Sequence, residues 1–400
     1  MTKATNTPQP RLTGFFLTAL ALLSSAGALS TDMYLPTFPN IGSELSTNAS
    51  LVQLTLTAFM VGMALGQLLS GSLSDGLGRK GLMVGSTIIF FASSVGCAIA
   101  PSIGVFVALR LLQGLAGGTG AVLARAVIPD VARGADAARA FSLLMAIQGF
   151  APVLAPILGG VFSPLVGWRG IFWILAGFNV AMIIVSVFIV PESLPKDRRN
   201  ANAIRSLFPA IWRCLRRREF FGYLLAFAAG FGVMFSYIAA SPYVYQGQLG
   251  MSTRVYGFAF AANAIGITVM ATVSAKLAGR ADPRNLLIGG LVTIAAASVG
   301  LLFNGLFGPY LWATLPLLFI AVGSMGLILG NATALGTATV RDIGVGAGAG
   351  AMGFAQFLTA GIVAPLVGLG TNSALSMSIG MVTCATIALF GAIVLTRTLR

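Results

Sequence analysis

The segment GSLSDGLGRK, Gly71–Lys80, separates two long apolar runs. Its glycines permit a tight turn between antiparallel helices. Its charges are scarce in their surroundings: 8% of the 400 residues are charged and 57% are hydrophobic, against about 25% charged in average soluble domains. A chain this apolar is expected to be an integral membrane protein, and at about 20 apolar residues per span its length accommodates roughly twelve spans.

Reading outward from the loop, apolar stretches punctuated by polar residues give spans near 12–36, 50–71, 81–100, 103–128, 138–162 and 168–190. A second set follows near 220–246, 255–277, 285–307, 310–340, 345–369 and 373–396. The expected fold is all-α: twelve transmembrane helices as two pseudo-symmetric six-helix bundles, 1–190 and 220–400. A cytoplasmic linker, 191–219, joins them and holds a short amphipathic helix near Ile204–Leu215. The run Leu12–Leu29 exceeds the core of a secretory signal, so a retained first helix is expected.

The net charge of +14 is explained by topology rather than by nucleic-acid binding. With the N-terminus placed in the cytoplasm, every one of the 24 basic residues except Arg110, Arg169 and Arg254 falls on the cytoplasmic side. Positive-inside bias then puts both chain ends in the cytoplasm. Histidine is absent, and Cys97, Cys214 and Cys384 are scattered without metal-ligand or disulfide spacing. No metal and no cofactor is expected, and no cluster suggests an enzyme.

Within the loop, Asp75 and Arg79 are placed to pair across the turn allowed by Gly71 and Gly78. Asp130, ending the fourth span on the same side, is placed to join them. The cluster would latch one arrangement of the two halves; the plainer alternative is a solvated turn. The stretch Leu277–Gly290 repeats the loop in the second half with Gly279 in place of the acid, and Asp342 repeats Asp130. Weak internal repetition of this kind is typical of transporters that bind substrate between repeats.

Three further stretches carry candidates. RLLQGLAGGTG, Arg110–Gly120, puts an arginine inside a span with Gln113 on the same face; such a cation must pair, face water or snorkel. GFAPVLAPILGG, Gly149–Gly160, holds Pro152 and Pro156, which would kink the helix, while Gly149, Gly159 and Gly160 permit close approach of a neighbour. STDMYLPTFP, Ser30–Pro39, carries Asp32 at the end of the first span. Asp32 lies about 6 Å and Arg110 about 10 Å from the same membrane face at 1.5 Å per residue. Asp32 is the one plausible membrane acid, hence the proton candidate, unless it only terminates its helix. Substrate-wall candidates are Tyr34, Gln113, Gln148, Phe231, Phe235, Tyr237, Asn263 and Gln356; the phenylalanine stripe also reads as plain packing.

Taken together, STDMYLPTFP, the GSLSDGLGRK loop, RLLQG, APVLAPILGG and the PESLP end of span six resemble the Bcr/CflA (bicyclomycin- and chloramphenicol-resistance) family of drug:proton antiporters in the major facilitator superfamily. The motifs lie in the N-terminal half; the other half matches by span count and loop charge. The resemblance implies spans one and four lining a central cavity. It implies proton-driven efflux of small lipophilic drugs by alternating access, in the bacterial inner membrane, with drug, protons and lipid as partners and a monomeric state. Pairing of Asp32 with Arg110 is the expected coupling device. Where some drug exporters of this group carry a second acid, this chain has Ser24. A rival expectation is a metabolite carrier of the same fold, for a sugar or amino-acid derivative.

Overall fold

The computed structural model describes residues 14–132, 134–195, 197, 199 and 203–396. Lys3, Arg11, Arg133, Lys196, Arg198, Arg397, Arg400 and both chain ends lie outside the described residues. Helices account for most of the described chain, with no strand among those residues.

The first half comprises α1 (Gly14–Asp32), α2 (Phe38–Glu44), α3 (Ala49–Leu77), α4 (Arg79–Ala98), α5 (Ile103–Val131) and α6 (Gly134–Phe188). Among the described residues, eleven helices are long and apolar enough to cross a membrane. The expected fifth and sixth spans are both inside α6, whose 55 residues would reach roughly 80 Å as one straight helix, far beyond a bilayer core of about 30 Å. The chain turns at Gly167, where φ is 67°, so α6 makes two spans and the total among the described residues is twelve. The first span is shorter than expected. Its helix stops at Asp32, and a 3-10 turn at Leu35–Thr37 leads into α2.

The linker carries α7 (Ala203–Leu215), the amphipathic segment, with Phe208 and Trp212 exposed and Cys214 buried. The second half comprises α8 (Arg218–Pro242), α9 (Thr253–Leu277), α10 (Pro283–Leu306), α11 (Leu311–Gly323), α12 (Met325–Ala338), α13 (Val345–Val367) and α14 (Ser373–Phe390). The expected 310–340 span is broken at Ser324 between α11 and α12. Side-chain oxygens of Asn48, Ser102, Ser252, Asp282 and Asn372 accept backbone N–H groups at the starts of α3, α5, α9, α10 and α14, satisfying donors that lipid cannot.

Small residues set the tightest packing. A Cβ added at Gly62 would lie 2.2 Å from the Leu111 carbonyl oxygen, and one at Gly114 would lie 2.0 Å from that of Phe59. Helices α3 and α5 therefore touch backbone to backbone, the contact that four-residue glycine spacing permits in membranes. The two halves meet at the end where Asp32, Pro36 and Tyr243 lie. There Gln53 donates to the Ala239 carbonyl (2.9 Å), Gln246 donates to that of Pro36 (3.0 Å), and the Phe38 and Tyr243 rings pack 6.2 Å apart.

Candidate functional site: a cavity between the halves

A cavity of about 410 Å³ lies between the halves, walled by α1, α3, α5 and α6 on one side and by α8, α9, α11, α12 and α13 on the other. Of the substrate-wall candidates, Gln148, Phe231, Phe235, Tyr237, Asn263 and Gln356 line it. The Phe231 and Phe235 rings pack 4.9 Å apart, and Asn263 donates to the Tyr237 hydroxyl at 2.9 Å. Ser24 lines the cavity too, so this wall carries a hydroxyl where the resemblance allows an acid. That hydroxyl is engaged with the Ala21 carbonyl oxygen at 2.8 Å.

Asp32 is the last residue of α1, 6% exposed, and lines the same cavity. Among the described residues it has neither a hydrogen-bond nor an ion-pair partner. The expected pairing with Arg110 is absent, and this is a correction. Arg110 is fully buried on the far side of α1. Its guanidinium donates to the Ser30 hydroxyl at 2.9 Å and to Gln113 Oε1 at 2.5 Å. It stacks 4.3 Å over the Tyr34 ring and 4.2 Å over that of Phe59, contacts that stabilise a desolvated cation without an anion. Gln113 passes the chain on to the Ser94 hydroxyl at 2.7 Å.

The reason is angular. Successive helix residues turn by about 100°, so Ser30 and Asp32 point to opposite sides of α1. Ser30 meets Arg110 and Asp32 faces the cavity. Equal depth in the membrane did not imply a shared face. Tyr34 and Gln113 are corrected with Arg110: both are fully buried in the first half, away from the cavity lining, and Tyr34 hydrogen-bonds with Thr55 at 3.1 Å.

The loop residues do converge. Arg79, 8% exposed, bridges Asp75 at 2.8 Å and Asp130 at 3.2 Å, and also donates to the Ser74 hydroxyl. Residues after the sixth span complete the cluster, and sequence reasoning missed them. Ser193 donates to Asp130 at 2.8 Å, and Glu192 accepts the Arg79 backbone N–H at 2.8 Å, placing a carboxylate at the positive end of α4. Gly78 has φ of 102°, and a Cβ there would lie 2.5 Å from both Glu192 and Arg199. Gly71 meets no such demand, since its nearest neighbour would be 3.8 Å from an added Cβ. In the second half Asp342 is held by Arg217 instead, and that hydrogen bonding keeps its carboxyl below the usual carboxylate range.

The proline-glycine stretch divides. The backbone of α6 keeps helical φ/ψ through Pro152 and Pro156 and departs from it at Gly167, so the chain reversal comes at the glycine. Pro152 lines the cavity. Gly159 abuts the Met33 carbonyl oxygen, 2.2 Å from an added Cβ, and Gly160 lies against Thr253 of α9, 3.0 Å by the same measure. Gly149 has no neighbour within 4 Å of such a carbon, so close packing does not explain it. Among the cavity residues that sequence reasoning missed is Arg125. The topology reading takes it as a cytoplasmic-side cation, and its exposed side chain also lines the cavity. The available signal was its position four residues after Ala121, on the cavity-facing stripe of α5.

A paired-bundle fold around one central cavity is the arrangement to set against known proteins. The Major Facilitator Superfamily model matches residues 20–365. The chain belongs to this superfamily. It is 35% identical over 394 residues to the uncharacterized MFS-type transporter YdgK of Bacillus subtilis, covering 96% of each chain. It is 28% identical to the bicyclomycin resistance protein homolog of Haemophilus influenzae, covering 82% of each. It is 29% identical to the multidrug resistance protein MdtL of Escherichia coli, covering 93% of this chain and 92% of that one. These relatives accord with the Bcr/CflA resemblance. Two solved structures share the fold at a TM-score of 0.71 and 16% identity. One is a bacterial homolog of the human lysosomal transporter Spinster, covering 96% of both chains. The other is the xylose transporter XylE of Escherichia coli, covering 94% of this chain and 97% of that one. The protein is thus a multi-pass membrane protein of a transporter family.

Proposed function

We propose that this major facilitator protein is a proton-coupled exporter of small lipophilic drugs in the bacterial inner membrane. It works as a monomer by alternating access and carries out transport rather than catalysis. The observation that carries the reading is Asp32, an acid with neither a hydrogen-bond nor an ion-pair partner among the described residues, in the wall of a largely apolar, aromatic cavity between two bundles. A carboxylate in such a place is a functional group by default. Proton uptake there removes a charge without breaking an ion pair, and drug and proton then compete for one wall.

With the 191–219 linker and both chain ends in the cytoplasm, the end where the halves meet faces outward, and the Asp75–Arg79–Asp130 cluster faces inward. The structure then corresponds to a state closed to the outside. Opening outward breaks the Gln53–Ala239 and Gln246–Pro36 contacts. Protons from outside then neutralise Asp32, and return to the inward state releases them and primes drug capture. The proton gradient is the driving force, and the cycle needs no metal or cofactor.

The test is susceptibility profiling of a pump-deficient bacterium expressing the chain, with chloramphenicol-type, bicyclomycin-type and cationic compounds. Raised tolerance that collapses with the proton gradient is expected. Unchanged tolerance across the panel at verified expression would defeat the reading.

A further inference from the structure

Among the described residues, the cavity lining holds two charged side chains, Asp32 and Arg125. Arg125, like Asp32, makes no hydrogen bond and no ion pair among those residues. The acid nearest to it along α5, Asp130, is occupied by Arg79 and Ser193. The two charges sit at opposite ends of the site. Gly120 lies beside the Leu23 carbonyl oxygen, 3.7 Å from an added Cβ, which fixes the register of the antiparallel α1 and α5. Asp32 lies nine residues beyond that level in one direction and Arg125 five residues beyond it in the other. At 1.5 Å per residue the two backbones are separated by roughly 20 Å along the axis, a gap shortened by the reach of both side chains. Between them lie Phe231, Phe235 and Phe357.

We infer that the cavity selects elongated dipolar aromatic compounds, with an amine or N–H donor toward Asp32 and an anionic or strong acceptor group held by Arg125. This rests on the export reading above and narrows its substrate class. A guanidinium without a protein anion is a ready partner for a carboxylate, and its planar fork favours two parallel hydrogen bonds to one. The aromatic middle supplies apolar contact without fixing orientation, so orientation comes from the two unlike ends. With Asp32 ionised, the lining is balanced for a zwitterion. With Asp32 protonated, the remaining positive charge repels the substrate's amine and favours release.

The test uses two fluorescent dyes on one ring system: a rhodamine zwitterion with a free carboxylate, and its methyl ester, a cation. Binding to the full-length protein in lipid nanodiscs is measured by fluorescence anisotropy, and export by dye efflux from cells. Arg125→Gln is expected to weaken binding of the zwitterion about tenfold, the worth of one charge-assisted hydrogen-bonded pair, and to leave the cationic ester's affinity unchanged or raised, since a like charge is removed. Arg125→Lys is expected to retain most zwitterion binding, and the thermal stability of both variants should equal the parent's. Equal weakening of both dyes, or no weakening of either, overturns the assignment. If the parent exports both dyes without discrimination, export stands and this substrate class falls. If the parent neither binds nor exports either dye, this substrate class falls, while the export reading is decided separately by the susceptibility panel.

Discussion

Helix α5 carries Arg110 near one end and Arg125 near the other, roughly four turns apart at 3.6 residues per turn. Arg110 is fully buried, with its guanidinium shared among Ser30, Gln113 and the rings of Tyr34 and Phe59. Arg125 stands in the cavity wall and touches no acid among the described residues. The first ties three helices of one bundle together through Ser30, Gln113 and Ser94. The second is free to meet a ligand. Rarity in the membrane marks both as costly; only the face they occupy separates a structural cation from a binding one.

The sharpest way to break this comparison is to neutralise each arginine in turn. Arg110→Leu leaves the buried polar atoms of Ser30 and Gln113 without their partner, at about 1–3 kcal/mol for each unsatisfied group. It should lower the melting temperature of the purified protein and reduce the yield of folded protein. Arg125→Gln should leave the melting temperature unmoved. An Arg110→Leu protein as stable as the parent would remove the structural reading of that residue.

Next in size is the backbone contact of α3 with α5. Gly114→Val inserts a branched side chain where even a Cβ would lie 2.0 Å from the Phe59 carbonyl oxygen. Overpacking costs about 1–3 kcal/mol or more, and loss of monodisperse protein on size-exclusion chromatography is expected. Gly149→Ala, with open space around it, should be tolerated.

A smaller effect is expected at the loop. Asp75→Asn removes one of two carboxylates on Arg79 and leaves Asp130 in place. Transport rate in proteoliposomes should fall while drug affinity holds, because the cluster lies outside the cavity lining. Normal transport at normal expression would leave only a solvated turn. The second half offers the control. Asp342, exposed and paired with Arg217, should tolerate Asp342→Asn with little change, because water and salt screen an exposed pair.

The smallest effect is on orientation alone. A single cysteine at the exposed position Arg205, in a chain with its three cysteines replaced, should resist labelling by an impermeant maleimide from outside intact cells and label after lysis. Labelling from outside would invert the topology and, with it, the side to which the cavity is closed.

Much of the fold was legible in the sequence because span count and loop charge are one-dimensional signals. The loop cluster was legible for a related reason: Asp75, Arg79 and Asp130 flank helix ends on one side of the bilayer, and short connections leave them few places to go. Glu192 was not, because its contact spans more than a hundred residues and follows from how α6 returns to the loop. Arg110 and Asp32 show the limit of depth as a guide. Rise per residue located both at one level, but rotation about the axis of α1 turns Ser30, not Asp32, toward Arg110. Arg125 shows the converse, since a basic residue near a span end satisfies a topology rule and thereby conceals a place in the cavity. Pro152 and Pro156 draw the eye in the sequence, whereas Gly167, unremarked there, makes the turn between the fifth and sixth spans.

The central claim is that Asp32 alone exchanges the proton that drives transport. It is tested most directly by adding drug to purified parent and Asp32→Asn proteins in weakly buffered solution while following pH, alongside uphill efflux in proteoliposomes under an imposed proton gradient. The account predicts drug-induced proton release from the parent, none from Asp32→Asn, and loss of uphill efflux in the variant with drug binding retained. Uphill efflux by Asp32→Asn, or an undiminished proton release, would place the proton site elsewhere and contradict it.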